Sequence, residues 1–515
     1  MPKTNERILF MKAKWSALII AVLMIISMLA GCGTSNDSGE ANGTENTKNP
    51  VVTFDNMMEN WKKENKSNSV SCWYTDSGDQ RWLAQKALDF EKEYGIKVDI
   101  IYYDGAQLFG DINQANQNGT GPDMYIMGND RLEYAVTGGM IEENKAFDDA
   151  FWQENYPATA RSAFNYKGKQ YGYPVYFDTY CLVYDANLLE NAPASIDDIL
   201  AFLDEYEDTG STKAVFRWDV ADPYINSMFI ASYADIFGEN GDDINSFSVN
   251  GEQEVKAMEY FQSLSAYLWM DKTNISHDTV MNRIKEGTLV LGLCKSDILP
   301  ILYEMQGGND VNTGDNEGGE TDEAVAAEGN ESEETGEAVA AEGNEGEETG
   351  ETVSEEGNEG GETGDAAAEE GNESGETDDG NSSSESETNY KVAYVPSLTA
   401  ELSSTCFSTT YGACINPYGN NQAAANMFSL YLAYEDQDRQ FAGNGKLPVI
   451  NQKYHFDEMQ TIMYAQYQNS KPVPKTMLLG DYLIEGGIVF DAIWEGGNAK
   501  EQLDHLQSVM EEKIK

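Results

Sequence analysis

From Ser69 onward the apolar positions switch repeatedly between short continuous runs and a spacing of three and four, the signature of strands alternating with helices. Ser69 to Thr75 (SVSCWYT) predicts a strand. Gln80 to Tyr94 carries Trp82, Leu83, Ala87 and Phe90 at helical spacing, and Gly95 supplies its stop. Ile96 to Tyr103 predicts a second strand, Gln107 to Asn116 a helix and Asp123 to Met127 a third strand. This βαβαβ opening predicts a parallel sheet. Lys167 and Gly168 mark a turn, Cys181 to Tyr184 a short strand, and Ser195 with Asp198 a capping pair for a helix through Tyr206. Val255, Met258, Phe261, Leu264 and Leu268 form one long helical stripe, which reads as core packing. Thr288 to Cys294 predicts a buried strand, Ser296 to Met305 a helix and Lys391 to Val395 another strand. Four helices, Asn421 to Tyr434, Phe456 to Tyr467, Leu478 to Trp494 and Lys500 to Glu512, complete a helical second half.

Two segments lie outside this pattern. At the N-terminus Lys3, Arg7, Lys12 and Lys14 precede an apolar run from Trp15 to Ala30, shorter than the roughly 20 residues of a membrane span. It reads as an export signal. Its end, Leu29-Ala30-Gly31-Cys32, resembles the lipobox of bacterial lipoproteins, which implies diacylglycerol on Cys32 and a signal peptide over residues 1–31. The polar residues that follow, to residue 66, read as a flexible tether. The second segment, residues 308–389, is a low-complexity acidic tract with no aromatic residue up to Asn389, in which Glu-Gly-Asn-Glu recurs with Asn330, Asn344, Asn358 and Asn372 fourteen apart. Its copies offer too little apolar surface to stack as a solenoid, so the tract is expected to be a disordered insert.

Charge sharpens this division. The 515 residues carry 33 Lys and Arg against 89 Asp and Glu, a formal charge of -56, and 29 of those acids lie in the tract. Phosphate contacts need basic surface, so no nucleic-acid partner is expected. The remainder is long enough for two lobes. Beyond Cys32 there are five cysteines, Cys72, Cys181, Cys294, Cys406 and Cys414; the odd number excludes complete pairing, and buried free thiols are expected, with Cys406 and Cys414 the pair that a turn would bring together. With no Cys/His cluster and only three His, neither a metal nor a cofactor is expected.

Several stretches, in order, resemble the family 1 extracellular solute-binding proteins of ABC importers, and within them the maltodextrin-binding type: Ala87 to Val98 (ALDFEKEYGIKV), Gly121 to Met127 (GPDMYIM), Gly168 to Pro174 (GKQYGYP) and Leu182 to Leu189 (LVYDANLL), together with the lipoprotein leader. The resemblance implies an α/β fold of the two-lobed periplasmic-binding-protein kind, interrupted by the acidic insert. Residues 67–177 would begin the first lobe and 178–307 the second. Residues 390–407 would return as a second-lobe strand and hinge, 408–457 would complete the first lobe and 458–515 the second. Hinge crossings are implied near Phe177 to Tyr180, Cys406 to Tyr411 and Tyr454 to Gln460.

The resemblance also implies site residues. Asp130 and Arg131 match an Asp-Arg pair that holds sugar hydroxyls, Asp178 an acidic ligand residue, and Asp222 with Tyr224 an acid-Pro-Tyr motif; Trp73 and Asp76 stand at and just beyond the end of the first strand. Each has an ordinary alternative: a surface helix start for Asp130-Arg131, a hinge carboxylate for Asp178, a helix cap for Asp222. Met127-Gly128-Asn129 and Cys294-Lys295-Ser296 depart from positions where the maltodextrin type has Trp, so its aromatic platform is incomplete unless Tyr125, Tyr176, Phe177, Trp218 or Tyr482 replaces it. The implied function is that of a lipid-anchored receptor, no enzyme and a monomer, on the outer face of the cell membrane, delivering a carbohydrate, an oligosaccharide first of all, to an importer permease. A polyamine or phosphorylated polyol as solute, a cell-surface glycan-active enzyme and an adhesin remain as alternatives.

Overall fold

The computed structural model describes residues 52–103, 105–206, 213–307, 389–435, 440–450 and 455–515. The export signal, Cys32, and the acidic tract lie outside them. The strands are β1 (Ser69–Tyr74), β2 (Lys97–Tyr102), β3 (Met124–Gly128), a two-stranded hairpin of β4 (Asn165–Tyr166) and β5 (Lys169–Gln170), β6 (Tyr173–Asp185), β7 (Ala214–Arg217), β8 (Leu289–Lys295), β9 (Tyr390–Ala393), β10 (Phe407–Ile415) and β11 (Lys471–Pro472). Apart from the hairpin they form one hydrogen-bonded path, β2-β1-β3-β10-β6-β8-β7, with β11 on β10 and β9 on β6.

β6 is the element that joins the two halves. Its first part pairs antiparallel with β10 as far as Ser408 opposite Thr179; from Tyr180 opposite Lys295 onward it pairs with β8 and then β9. At about 3.3 Å per residue a 13-residue strand reaches across two sheets. The first sheet carries the parallel trio β2-β1-β3, the second the parallel pair β7-β8. β6 thus changes partner from β10 to β8 between Thr179 and Tyr180.

Local sequence explains the element ends. Gln80–Tyr94 is helical and stops where Gly95 takes φ 70°. Ser195 and Asp198 form the capping box of Ile196–Glu205. Met258, Phe261, Leu264 and Leu268 are all buried within the second-lobe core, while Val255 is partly buried against it.

Two expectations are corrected. Residues Phe54–Glu64 are a helix, not tether: Phe54, Met57 and Met58 are buried, Trp61 packs on the same cluster, and the Phe54 ring stacks on Tyr434 at 4.9 Å. Those four positions follow the spacing i, i+3, i+4, i+7 of an amphipathic helix. Cys406 and Cys414 do not meet at a turn, because one runs into and the other sits within the same extended strand, about 26 Å apart at strand rise. All five described cysteines are free and buried, and burial pushes the Cys406 thiol up to about 12. Glu458–Gln468 packs on β6 and on the second-lobe strand β9, and Gln466 Oε1 accepts from Val395 N at 3.1 Å just past that strand. Its Met463 and Tyr467 join the cluster containing Tyr173 and Phe177, and Tyr467 stacks on Phe177 at 4.1 Å. Leu479–Trp494 and Ala499–Ile514 pack on the second-lobe core.

Candidate functional site

Where β6 changes partner from β10 to β8, a cavity of about 280 Å³ opens, lined by Asp76, Asp178, Ser296, Asp297, Tyr411 and Lys446 among others. Its floor follows from strand register. Tyr411 of β10 lies opposite Tyr176 of β6, and the two rings stack at 4.9 Å with 25° between planes. Tyr176 is fully buried, held edge-on by Trp82 at 6.1 Å, whereas Tyr411 is partly exposed and lines the cavity together with the buried Phe177.

One wall is a carboxylate pair around a cation. Asp76 caps the short turn Ser77–Asp79 by accepting from Gly78 N at 2.8 Å. Asp79 is fully buried and accepts from the Tyr176 hydroxyl, from Asn444 Nδ2 at 3.0 Å and from Lys446 Nζ at 3.2 Å. The Lys446 ammonium also pairs with Asp76 and lies 4.6 Å from the centroid of Tyr176 and 5.7 Å from that of Tyr411. Gly445 turns the chain at φ 71°, and a Cβ there would fall 2.7 Å from Pro300 Cγ, so the approach that brings Lys446 into the wall requires glycine. At Asp76 burial raises the carboxyl, yet the charge and hydrogen bond of Lys446 outweigh it and hold the group below its ordinary value. At Asp79 burial prevails over Lys446 and the pKa is raised.

The facing wall holds Asp178. Its Oδ1 accepts from Ser296 N at 3.2 Å and from the Ser296 hydroxyl, while burial pushes the carboxyl up. This sign yields a prediction. The ionised carboxyl is better solvated in the unfolded chain, so its charge costs stability at neutral pH, and that cost disappears as the pH falls below the unfolded carboxylate value. Asp178→Asn keeps an acceptor for Ser296. It is expected to be more stable than wild type at pH 7 and equal to it near about pH 3, as read by thermal denaturation across pH. Lower stability of the variant at pH 7 would mean that the charge is favourably held.

The other sequence-derived residues fall in two groups. Asp130 and Arg131 follow β3, with Arg131 Nε 3.4 Å from Asp130; burial raises the Asp130 carboxyl and Arg131 opposes it. Asp222 caps Pro223–Asn226 through Tyr224 N at 2.8 Å and accepts from the Tyr180 hydroxyl at 3.1 Å, and the Tyr224 hydroxyl lies 3.1 Å from Thr409 Oγ1. Burial first, and then the charges of Asp178 and Asp130, push the phenols of both Tyr411 and Tyr224 upward, but Asp130, Arg131, Asp222 and Tyr224 are not among the residues that line this cavity. Trp73 is not among them. It is 4% exposed in the first-lobe core and stacks on Tyr103 at 3.7 Å. The proposed substitute rings Tyr125, Trp218 and Tyr482 are likewise fully buried, and the hydroxyl of Tyr482 is satisfied by Ser227 at 3.0 Å. Tyr411, Asp79 and Lys446 are the residues that sequence reasoning misses.

Residues 86–313 match the family described as bacterial extracellular solute-binding protein. A maltooligosaccharide ABC transporter solute-binding lipoprotein of Streptococcus pneumoniae is 25% identical over 205 residues, 39% of this chain and 46% of that protein. A maltotriose-binding protein of Pyrococcus abyssi is 23% identical over 172 residues, 33% of this chain and 37% of that protein. The chain thus aligns with about half the length, or less, of these curated relatives. Among solved structures, an extracellular solute-binding protein of Staphylococcus aureus in complex with maltose superposes with a TM-score of 0.64 at 17% identity, covering 87% of this chain and 98% of that one. A cyclo/maltodextrin-binding protein with maltotetraose gives 0.64 at 16%, with the same coverage. The chain is similar to the solute-binding proteins of maltodextrin-binding type. Its fold is that of the two-lobed periplasmic sugar-binding proteins.

Within this maltodextrin-binding-like frame, the missing Trp after β3 has a local cause. Asn129 is fully buried, donates to Val473 O at 2.9 Å and accepts from Thr410 N at 2.8 Å, so the position ties β3 to β10 and to the segment after β11. At Gly128 the Asp130 carboxylate and the Thr409 methyl occupy the space a side chain would need.

Proposed function

We propose that this chain is an importer receptor that binds a neutral, polyhydroxylated solute of the maltooligosaccharide kind in the cavity between its lobes and delivers it to a permease, with Cys32 carrying the lipid that holds it at the outer face of the membrane. The observation that carries the reading is a partly exposed ring in the cavity, Tyr411, flanked by Asp76 and Asp178. A sugar offers an apolar face to such a ring and paired hydroxyl donors to such carboxylates. The names of the relatives, all binding proteins, favour a receptor over a glycan-active enzyme, and Asp130-Arg131 and Asp222-Tyr224 are proposed to take further hydroxyls from the two sides of the cleft.

The test uses the mature protein with maltotriose and maltotetraose. Saturable heat release in calorimetry is expected, together with thermal stabilisation; at about 100 times the dissociation constant the ligand adds about 2.7 kcal/mol. The sugar should be recovered intact. No binding to any member of a neutral oligosaccharide series overturns the solute class, and released product overturns the receptor. In the same preparations, mass spectrometry of wild type should show acylated Cys32, and Cys32→Ala should pass from membrane to medium.

A further inference from the structure

The surroundings of Lys446 Nζ are those of a recognition site for a primary ammonium group. Two carboxylates, Asp76 and Asp79, contact it, and the stacked rings of Tyr176 and Tyr411 lie 4.6 and 5.7 Å away. Carboxylates together with aromatic faces are how proteins hold amine cations. Here the occupant is the protein's own side chain, delivered through the glycine turn at Gly445 and fixed by Asn444, whose Oδ1 accepts from Lys446 N at 3.1 Å and whose amide donates to Asp79. The Lys446 side chain is 23% exposed and lines the cavity, so an incoming solute meets it directly.

We propose that Lys446 is a specificity-determining residue: its ammonium fills a cation subsite built into the first-lobe wall, and thereby bars amine-bearing solutes while leaving the cavity open to neutral ones. The inference rests on the reading of this cavity as the solute site. An ammonium drawn to Asp76 and Asp79 in wild type would have to sit beside Lys446 or displace it from the two carboxylates, and either step sets like charges or unpaired charges against each other. Asp178 on the far wall, engaged only by uncharged Ser296 donors among its hydrogen bonds, stays available to hydroxyls. The acidic and aromatic composition of the cleft suits polyamines as well as sugars; the filled subsite is what separates the two.

The experiment titrates wild type, Lys446→Met, Lys446→Arg and the double variant Lys446→Met/Asp79→Asn with propylamine, putrescine and spermidine, and in parallel with maltotriose. Circular dichroism verifies the fold of each. Lys446→Met is expected to bind propylamine and putrescine about tenfold or more tighter than wild type. Lys446→Arg, which keeps the cation, and the double variant, which loses a carboxylate, should show no such gain. Spermidine binding to wild type in competition with maltotriose overturns the proposal, and so does a folded Lys446→Met with no gain for any amine. If Lys446→Met fails to fold, the wild-type and Lys446→Arg arms decide, since tight amine binding to either contradicts a filled subsite. Failure of maltotriose to bind wild type instead overturns the sugar reading and leaves the amine arms to judge the subsite.

Discussion

Replacing Asp79 by alanine is expected to cost about 3 to 5 kcal/mol of folding stability, the range for breaking a buried charge pair from one side. Three donors converge on this carboxylate: the Tyr176 hydroxyl, Asn444 Nδ2 and Lys446 Nζ. Alanine offers none of them an acceptor: the buried Tyr176 hydroxyl is left unpaired with its full desolvation penalty, and Lys446 keeps only Asp76. The wild-type pair itself contributes little net stability, because burial already pushes the Asp79 carboxyl up against the pull of Lys446. Truncation is costly for what it strands, not for what the pair contributes. Asp79→Asn keeps one acceptor oxygen and should lie between, at about 1 to 3 kcal/mol. Urea denaturation of wild type and both variants measures this order. An Asp79→Ala protein within about 1 kcal/mol of wild type would show that the network beneath the cavity is not holding the wall.

The same residues show why the site is harder to read from sequence than the fold. The βαβαβ opening is legible because each element satisfies its periodicity locally, down to Gly95 ending its helix. The Phe54–Glu64 helix carries the same kind of signal in Phe54, Met57, Met58 and Trp61, but polar composition around it suggests a tether; the spacing decides, since that stripe finds Tyr434 to pack on. Asp76 and Asp178, which line the cavity, are reached through the family resemblance and not through any local pattern of their own. Trp73 misleads. β1 is flanked by β2 and β3 and covered on both faces, so an aromatic residue within it belongs to the core. Tyr411 and Lys446 are illegible because nothing local marks them. Tyr411 becomes a cavity floor only through its register against Tyr176, and Lys446 meets Asp76 across 370 positions of chain.

That long-range closure also governs the expected outcome of excising the acidic tract. Removing residues 308–388 and joining Gly307 to Asn389 by about four Gly-Ser residues is expected to leave the fold intact and to raise its stability by about 2 to 3 kcal/mol. The described residues on either side already meet: Gln306 Nε2 donates to Tyr390 O at 2.9 Å, and Ala186 N donates to Asn389 O at 2.8 Å. A short linker therefore spans the gap without strain. Shortening 81 residues to about four removes roughly four doublings of loop length, each about 0.6 kcal/mol of closure entropy. The excision also takes the formal charge from -56 to -27, which lowers repulsion within the folded state and adds to the gain at low salt. Because the joined ends belong to the helix Ile298–Met305 and to β9, on the second-lobe side, affinity for maltotriose should stay within a factor of about two, or about 0.4 kcal/mol. Denaturation at low and high salt, with calorimetry on the same protein, checks all three expectations. An excised chain that fails to fold or loses the solute would show that the repeats pack against the lobes, and the reading of residues 308–388 as a dispensable insertion into a closed surface connection would fall.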